Sequence, residues 1–364
     1  ESNGRGRQPS QVGEPEEALM SASAESRCVI AIDAGTTGVR SRAVFVDGRP
    51  TVASYREFAQ HYPSPGWVEH DATEIWSVAA ETLRDVVDQV GRANVAAIGI
   101  TNQRETVLAW NRSTGEPYGT AIVWQDRRTA TRCDELQAAG HLGLIRERTG
   151  LVLDPYFSGT KAAWLLEHRD IPVDDDLAIG TIDSWLVWNL TGGRRFVTDV
   201  TNASRTMLCD IRTCSWDAEL CELIGVPIAA LPEIVPSSGR VGTTAPDCGV
   251  PDGIAISGIA GDQQAALFGQ ACVRPGMAKN TYGTGSFVLL NVGETCPAPT
   301  EGMLTTVAWR LADGTTHYAL EGSIFITGAA VQWLRDGLQI IDDAAETGPL
   351  AESEVCGGVV GVPV

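Results

Sequence analysis

The residues best suited to chemistry stand in a few short segments separated by ordinary helix and strand patterns. The first is Asp33-Ala34-Gly35-Thr36-Thr37-Gly38, a turn between two apolar runs, with Arg40 just beyond it. Such a hairpin can present backbone N–H groups and the Thr36 and Thr37 hydroxyls to phosphate oxygens, and glycine allows close approach. Asp33 at the strand end can hold Mg²⁺ through water, because that ion sheds its hydration reluctantly. The same letters also describe a plain tight hairpin with an Asp at its shoulder. A second glycine–hydroxyl turn, Tyr282-Gly283-Thr284-Gly285-Ser286, lies far downstream. One such turn on each wall of a cleft is what a triphosphate needs, although alone each is only a turn.

Gly258-Ile259-Ala260-Gly261-Asp262-Gln263 puts a carboxylate after two glycines at a predicted strand-to-helix junction, where the chain is bare enough for a ligand to approach. Asp262 could accept the proton of an attacking hydroxyl, or it could simply cap the helix. Thr101-Asn102-Gln103-Arg104-Glu105-Thr106 sets opposite charges side by side between apolar strands. A guanidinium fork and a carboxylate can together pair with neighbouring hydroxyls of a small polyol; the alternative is an edge-strand salt bridge in solvent. Trp124 and Phe287 could wall off carbon atoms or belong to the core. Tyr156 could add a hydroxyl partner or be a buried turn residue. Asp174-Asp175-Asp176 reads as a solvated loop, since consecutive carboxylates do not converge easily on one ion. No G-x-x-x-x-G-K-[ST] or G-x-G-x-x-G segment occurs, which excludes a P-loop and gives no support to a dinucleotide fold.

Strand patterns at 28–32, 42–46 and 51–58 joined by short turns predict an antiparallel meander. A helix should start at Asp71, whose D-x-x-E spacing to Glu74 is a capping signal, with Ile75, Ala79, Leu83, Val86 and Val90 on one face. Strands follow at 95–100 and 106–110, and helices at 129–139, 160–168 and 182–190. A second meander is expected from strands at 277–282, 287–291, 305–310 and 316–320, with a helix at about 325–335. The repeated β-β-β-α order implies two similar domains, each offering a hydroxyl-bearing hairpin to a central cleft.

A chain of 364 residues predicts two or three domains, and 43% hydrophobic with 20% charged residues is a soluble globular mixture. The net charge of −19 disfavours nucleic acid and anionic membranes as partners, whereas a neutral polyol is indifferent to it. Nine scattered cysteines without a C-x-x-C pair argue against a disulfide framework or zinc and for a reduced, cytoplasmic setting. No apolar run approaches the roughly 20 residues a membrane span needs. Residues 1–27 are expected to be a disordered leader, with Met20 an alternative start. The terminal run from Gly357 to Val364 reads as an unfinished strand. The expected division is therefore 28–270 as a first domain and 271–364 as a second one cut short.

From position 28 onward the chain resembles the glycerol kinases of the FGGY carbohydrate-kinase family. The likeness is carried by Pro65-Gly66-Trp67-Val68-Glu69-His70-Asp71, Gly99-Ile100-Thr101-Asn102-Gln103-Arg104-Glu105-Thr106, Ala121-Ile122-Val123-Trp124-Gln125, Asp154-Pro155-Tyr156-Phe157-Ser158-Gly159-Thr160-Lys161, and Asn202-Ala203-Ser204-Arg205-Thr206-Met207. Segments 258–270 and 279–287 share it. The resemblance implies an α/β, actin-like and ribonuclease-H-like two-domain kinase fold whose second domain is incomplete here. It also implies ATP-dependent phosphorylation of glycerol, with ATP and Mg²⁺ as cofactors and glycerol as partner, and leaves a homo-oligomer open. By motif, Arg104, Glu105, Tyr156, Asp262 and Gln263 would hydrogen-bond glycerol, with Trp124 and Phe287 against its carbons and Asp262 as general base. Thr36, Thr37, Gly38, Arg40 and Thr284 would lie at the phosphates, and Gly328 and Gln332 by the nucleotide. The chain departs from the family in lacking its glycine-rich adenosine segment, in Ala34 where some relatives carry Gln, and in the absence of an arginine within 247–253. Another polyol or sugar as substrate, or an inactive binding fragment, are the competing readings.

Overall fold

The computed structural model describes residues 27–283, 285–324 and 326–353. All but the last residue of the expected leader, Thr284 of the second hairpin, and the terminal apolar run lie outside the described residues.

Alternation writes the first strand. In β1 (Cys28–Ala34) Cys28, Ile30, Ile32 and Ala34 are buried while Val29 faces out. It pairs antiparallel with β2 (Gly38–Phe45), and β2 with β3 (Val52–Glu57), giving the expected first meander. On its other side β1 lies parallel to β4 (Val95–Asn102). The edge strand β5 (Ser238–Thr243) runs antiparallel to β6 (Ala255–Gly261), and β6 runs parallel to β4, so the sheet order is β5-β6-β4-β1-β2-β3. Parallel neighbours require a crossover, and the one from β1 to β4 runs through β2, β3 and then α1 (Ala72–Val90). Asp71 caps α1, accepting from the Thr73 and Glu74 amides at 2.8 and 3.3 Å. Glu74 does not reach back as a capping box would; it accepts from Ala59 N instead. Ile75, Leu83 and Val86 are fully buried, each contributing about 1.5–3 kcal/mol.

The three parallel strands β1, β4 and β6 end at the same edge, with Ala34 and Gly261 both in register with Asn102. The carboxyl ends of parallel strands are where open α/β sheets bind ligands, and this register delivers Asp33, Arg104 and Asp262 to one place. The long segment between β4 and β5, together with the strand Glu69–His70 that precedes α1, builds a lobe around a small sheet of Glu69–His70, Ala121–Ile122, Val107–Asn111 and Leu177–Thr181. It carries α2 (Ser158–His168) and α3 (Ile182–Leu190).

The second sheet corrects an expectation. Its strands β7 (Ala278–Tyr282), β8 (Ser286–Gly293), β9 (Leu304–Arg310) and β10 (Thr316–Ile324) are ordered β7-β8-β10-β9, not as a consecutive meander. After β8 the chain passes through Cys296-Pro297-Ala298-Pro299, where two residues lack a backbone donor and a tight hairpin cannot form. β9 therefore takes the outer edge and bonds to the first body: Thr305 N donates to Gly150 O at 2.8 Å, and Ser237 N to Arg310 O at 2.8 Å. Gly150 permits this contact. Its φ is +70°, and a Cβ there would stand 2.5 Å from Thr305 O. The last expected helix, α5 (Gly328–Asp336), begins three residues later than predicted.

Candidate active site

The segment between β4 and the next strand is not a solvated edge. Arg104 and Glu105 are 2% and 1% exposed, so the surface salt-bridge reading is excluded. The chain turns there through Glu105 at φ +62°, with Thr106 N donating to Arg104 O at 2.8 Å, a γ-turn of the rarer, strained hand. Ser158 Oγ holds the Glu105 carbonyl at 3.1 Å and Arg205 Nε holds its carboxylate at 2.6 Å. The strain is thus fixed by partners on neighbouring elements.

Asp262 opens α4 (Asp262–Gly269); the cap position itself is Gly261, and the Asp262 carboxylate accepts from Gln263 N at 2.7 Å. Gly261 is bare for a reason other than ligand approach. A Cβ at that position would meet Arg104 Cγ at 2.7 Å, so the missing side chain makes room for the arginine stem. Arg104 Nε then lies 3.4 Å from Asp262 Oδ1, while its two Nη groups donate to Glu321 at 2.7 and 3.0 Å. Nη2 also donates to Tyr156 Oη at 3.1 Å.

These groups border a cleft of about 180 Å³ lined by Thr36, Arg104, Glu105, Trp124, Tyr156 and Asp262, and by Gln263, Thr281, Gly283, Gly285 and Phe287. Trp124 stacks edge-on with Tyr156 at 5.8 Å and with Phe287 at 6.3 Å, forming an apolar wall opposite the charges. The Trp124 indole also donates to Thr36 Oγ1 at 2.9 Å, joining that wall to the first hairpin. The hairpin is closed by Gly35 N donating to Gly38 O at 3.0 Å. Thr37 is exposed, and Arg40 sits directly opposite Asp33 across the hairpin, over the Tyr55 ring. Across the cleft, Gly283 N bonds Gly285 O, and Gly328 N bonds Gly283 O at 2.9 Å, tying α5 to the second hairpin. Gln332, one turn along α5, is exposed. Thr284 lies outside the described residues.

The Asp262 side chain is 37% exposed, opening into the cleft, yet desolvation there still pushes its carboxyl above the ordinary carboxylate range against the pull of Arg104. Burial also raises Asp33, with Arg40 and Arg42 opposing, and raises Glu105 against Arg104 and Arg205. Glu321 differs: burial opposes its charge too, but Arg104 and Arg205 outweigh it and hold the carboxyl down at about 2.

Several groups around the site were not singled out from the sequence. Glu321 on β10, Arg205, Gln264 and Lys279 are all buried. Lys279 Nζ donates to Gln263 Oε1 and to Thr281 Oγ1, the latter at 2.8 Å. Because Lys279 engages the Gln263 oxygen, the amide N–H₂ end turns to the Asp262 carboxylate. Alternation could have flagged Glu321 and Lys279, since each occupies a buried position of its strand.

Two α/β bodies meeting at a cleft, with a glycine–hydroxyl hairpin on each wall and a carboxylate on its floor, define an actin-like, ribonuclease-H-like kinase fold. The description "FGGY family of carbohydrate kinases, N-terminal domain" matches residues 28–269, and its C-terminal counterpart matches 278–361. The chain belongs to the FGGY family of carbohydrate kinases. It is 54% identical to glycerol kinase 2 of Thermotoga maritima over 92% of this chain and 68% of that protein. With a glycerol kinase of Alkalilimnicola ehrlichii it shares 53% over 93% and 69% of the two chains. The crystal structure of Plasmodium falciparum glycerol kinase with ADP superposes with a TM-score of 0.83 at 36% identity, over 90% of this chain and 66% of that one. Xylulose kinase from Rhodospirillum rubrum, 22% identical with a TM-score of 0.78, shares the fold. The chain spans about two thirds of the length of the relatives it matches.

Proposed function

We propose that this chain forms the glycerol site and part of the nucleotide site of an ATP-dependent glycerol kinase. The observation that carries the reading is the buried Arg104–Glu105 pair beside Asp262, facing an aromatic wall in a cleft of about 180 Å³. A guanidinium edge, a carboxylate, the Tyr156 hydroxyl and the Gln263 amide offer donors and acceptors for adjacent hydroxyls, while Trp124 and Phe287 cover the carbons. The relatives at 53–54% identity bear the name glycerol kinase.

In this mechanism Asp262 takes the proton of the attacking terminal hydroxyl, and Arg104 Nε, 3.4 Å away, keeps the carboxylate aligned and charged. The hairpins with Thr36, Thr37 and Gly38, and with Thr284, receive the ATP phosphates through backbone N–H groups and hydroxyls, with Arg40 supplying positive charge. Gly328 and Gln332 are assigned to the nucleotide side. Mg²⁺ is bound elsewhere by one or two carboxylates together with phosphates and water, and Asp33 fits that donor set. The described residues contain no cluster of three or more His, Cys, Asp or Glu side chains that could hold a metal ion. When bound, it would neutralise developing phosphate charge. Most of the rate then comes from positioning.

Among the described residues no helix is long and apolar enough to cross a membrane. A cytoplasmic setting belongs to the same proposal, resting on ATP as co-substrate and on the eight described cysteines, all free thiols. Calorimetric titration of the purified chain with glycerol, xylulose and gluconate tests the substrate. Binding confined to glycerol is the expected result; tighter binding of either sugar would overturn it.

A further inference from the structure

Glu321 is the one carboxylate of the site contributed by the second sheet. It is fully buried, lies opposite Leu289 in the middle of the β8–β10 pairing, and reaches across to the first body. Oε1 and Oε2 accept from Arg104 Nη2 and Nη1 at 3.0 and 2.7 Å, and Oε1 also accepts from Arg205 Nη2 at 3.0 Å. Ser323 Oγ donates to the same oxygen at 3.1 Å. Arg205 in turn holds Glu105. Two arginines and two glutamates thus close a neutral buried network, and only Glu321 comes from the other sheet.

The fork geometry gives this contact a consequence. A guanidinium gripped on both Nη groups by one carboxylate cannot rotate, so its remaining Nε edge has a fixed direction. That edge faces Asp262 and the cleft. Without Glu321, the two buried arginines would keep only Glu105 and, through Arg104 Nε, Asp262 as carboxylate partners, and the Arg104 fork, left to the neutral Gln264 and Tyr156 side chains, could turn toward Asp262.

We propose that Glu321 is the positioning residue for Arg104: it fixes the arginine that meets the substrate, and does so only while the second sheet is seated on the first body. This rests on the reading of the cleft as a polyol site. The site is then assembled by the contact between the two sheets instead of standing preformed on one of them.

The test is a double-substitution cycle on glycerol binding, read by calorimetry, with Glu321→Gln and Arg104→Ala alone and together. Glu321→Gln should weaken glycerol about tenfold or more by loosening a charge-assisted pair. Added to Arg104→Ala it should cost less than about twofold further, because the residue it positions is already gone. A solely structural Glu321 would multiply the two losses, and that result overturns the proposal. Arginine-selective ¹⁵N NMR of the Arg104 Nε–H resonance gives a readout independent of glycerol. Its shift should move and its exchange with water should quicken in Glu321→Gln, and an unchanged resonance also overturns the proposal. Should Glu321→Gln not fold, Glu321→Asp keeps the charge while withdrawing it by a methylene, with the same two predictions in weaker form. Failure of the unsubstituted chain to bind glycerol would reject the polyol reading, and the NMR comparison would still decide whether Glu321 positions Arg104.

Discussion

At the scale of single residues, the proposed recognition of glycerol concentrates in Arg104. In the proposed site, Arg104→Ala would remove a donor to glycerol, and it leaves Glu321 buried without its bidentate partner. Glycerol should bind about 2–4 kcal/mol more weakly; an unchanged dissociation constant would remove Arg104 from the site. The same residues set a pH dependence. The Asp262 carboxyl is raised, chiefly by burial, and a base must be unprotonated to work. Activity should therefore fall on acidification, beginning at a higher pH than an ordinary carboxylate near about 4 would give. A kcat/KM profile that stays flat below the ordinary carboxylate value would contradict the assignment. Residue types at this scale could be read from the sequence: Asp262, Arg104, Glu105, Tyr156 and Trp124 stand in motifs that announce them. Their partners could not. Arg104 and Glu321 are separated by 217 positions, and Glu105 and Arg205 by 100, and no local pattern encodes such a pairing.

At the scale of elements, two glycines make room for contacts between neighbouring segments. Gly261→Ala would drive a methyl into the Arg104 stem at 2.7 Å without touching the substrate. It should weaken glycerol binding while costing about 1–3 kcal/mol of stability, as overpacking does, and normal binding in a folded variant would deny the role. Gly150→Ala meets a left-handed φ and a backbone oxygen together. It should lower the melting temperature by loosening β9 from the first body, measurable by calorimetry, and an unchanged transition would count against that docking. The first meander, α1 and α3 were readable because alternation, an Asp cap and a helical apolar stripe are local signals. The order β7-β8-β10-β9 was not, because strand order depends on which edge finds partners elsewhere, and β9 finds them at Gly150 and Ser237.

At the scale of the molecule, the inserted lobe meets the first sheet beside a buried acidic pair, Asp183 and Asp199. Asp183 on α3 accepts from the Thr181 and Thr198 hydroxyls and, at 3.3 Å, from Asp199 N. Asp199 holds Asn202, which pairs with Asn102 at the end of β4. Burial, and then the neighbouring Asp199 charge, push Asp183 up to about 6. A carboxyl raised in the folded state favours folding when protonated. Its penalty is therefore present above pH 6 and is relieved as pH falls toward its ordinary value. Relative to Asp183→Asn, the unsubstituted chain should gain about 1 kcal/mol of stability between pH 7 and 5. Urea midpoints at the two pH values measure this, and a constant difference would contradict it. Glu321, held at about 2, works in the opposite sense: its contribution is present above the ordinary glutamate pKa and fades as pH falls toward 2.

The central claim is that the cleft transfers phosphate to glycerol with Asp262 as base. The most direct measurement is glycerol-dependent ADP release by the purified chain with MgATP, beside Asp262→Asn and with glycerol affinity determined for both. The account predicts turnover that Asp262→Asn lowers by several orders of magnitude, with glycerol affinity kept within a few-fold. Turnover surviving the substitution, or a folded chain that binds glycerol and ATP yet releases no ADP, would contradict it.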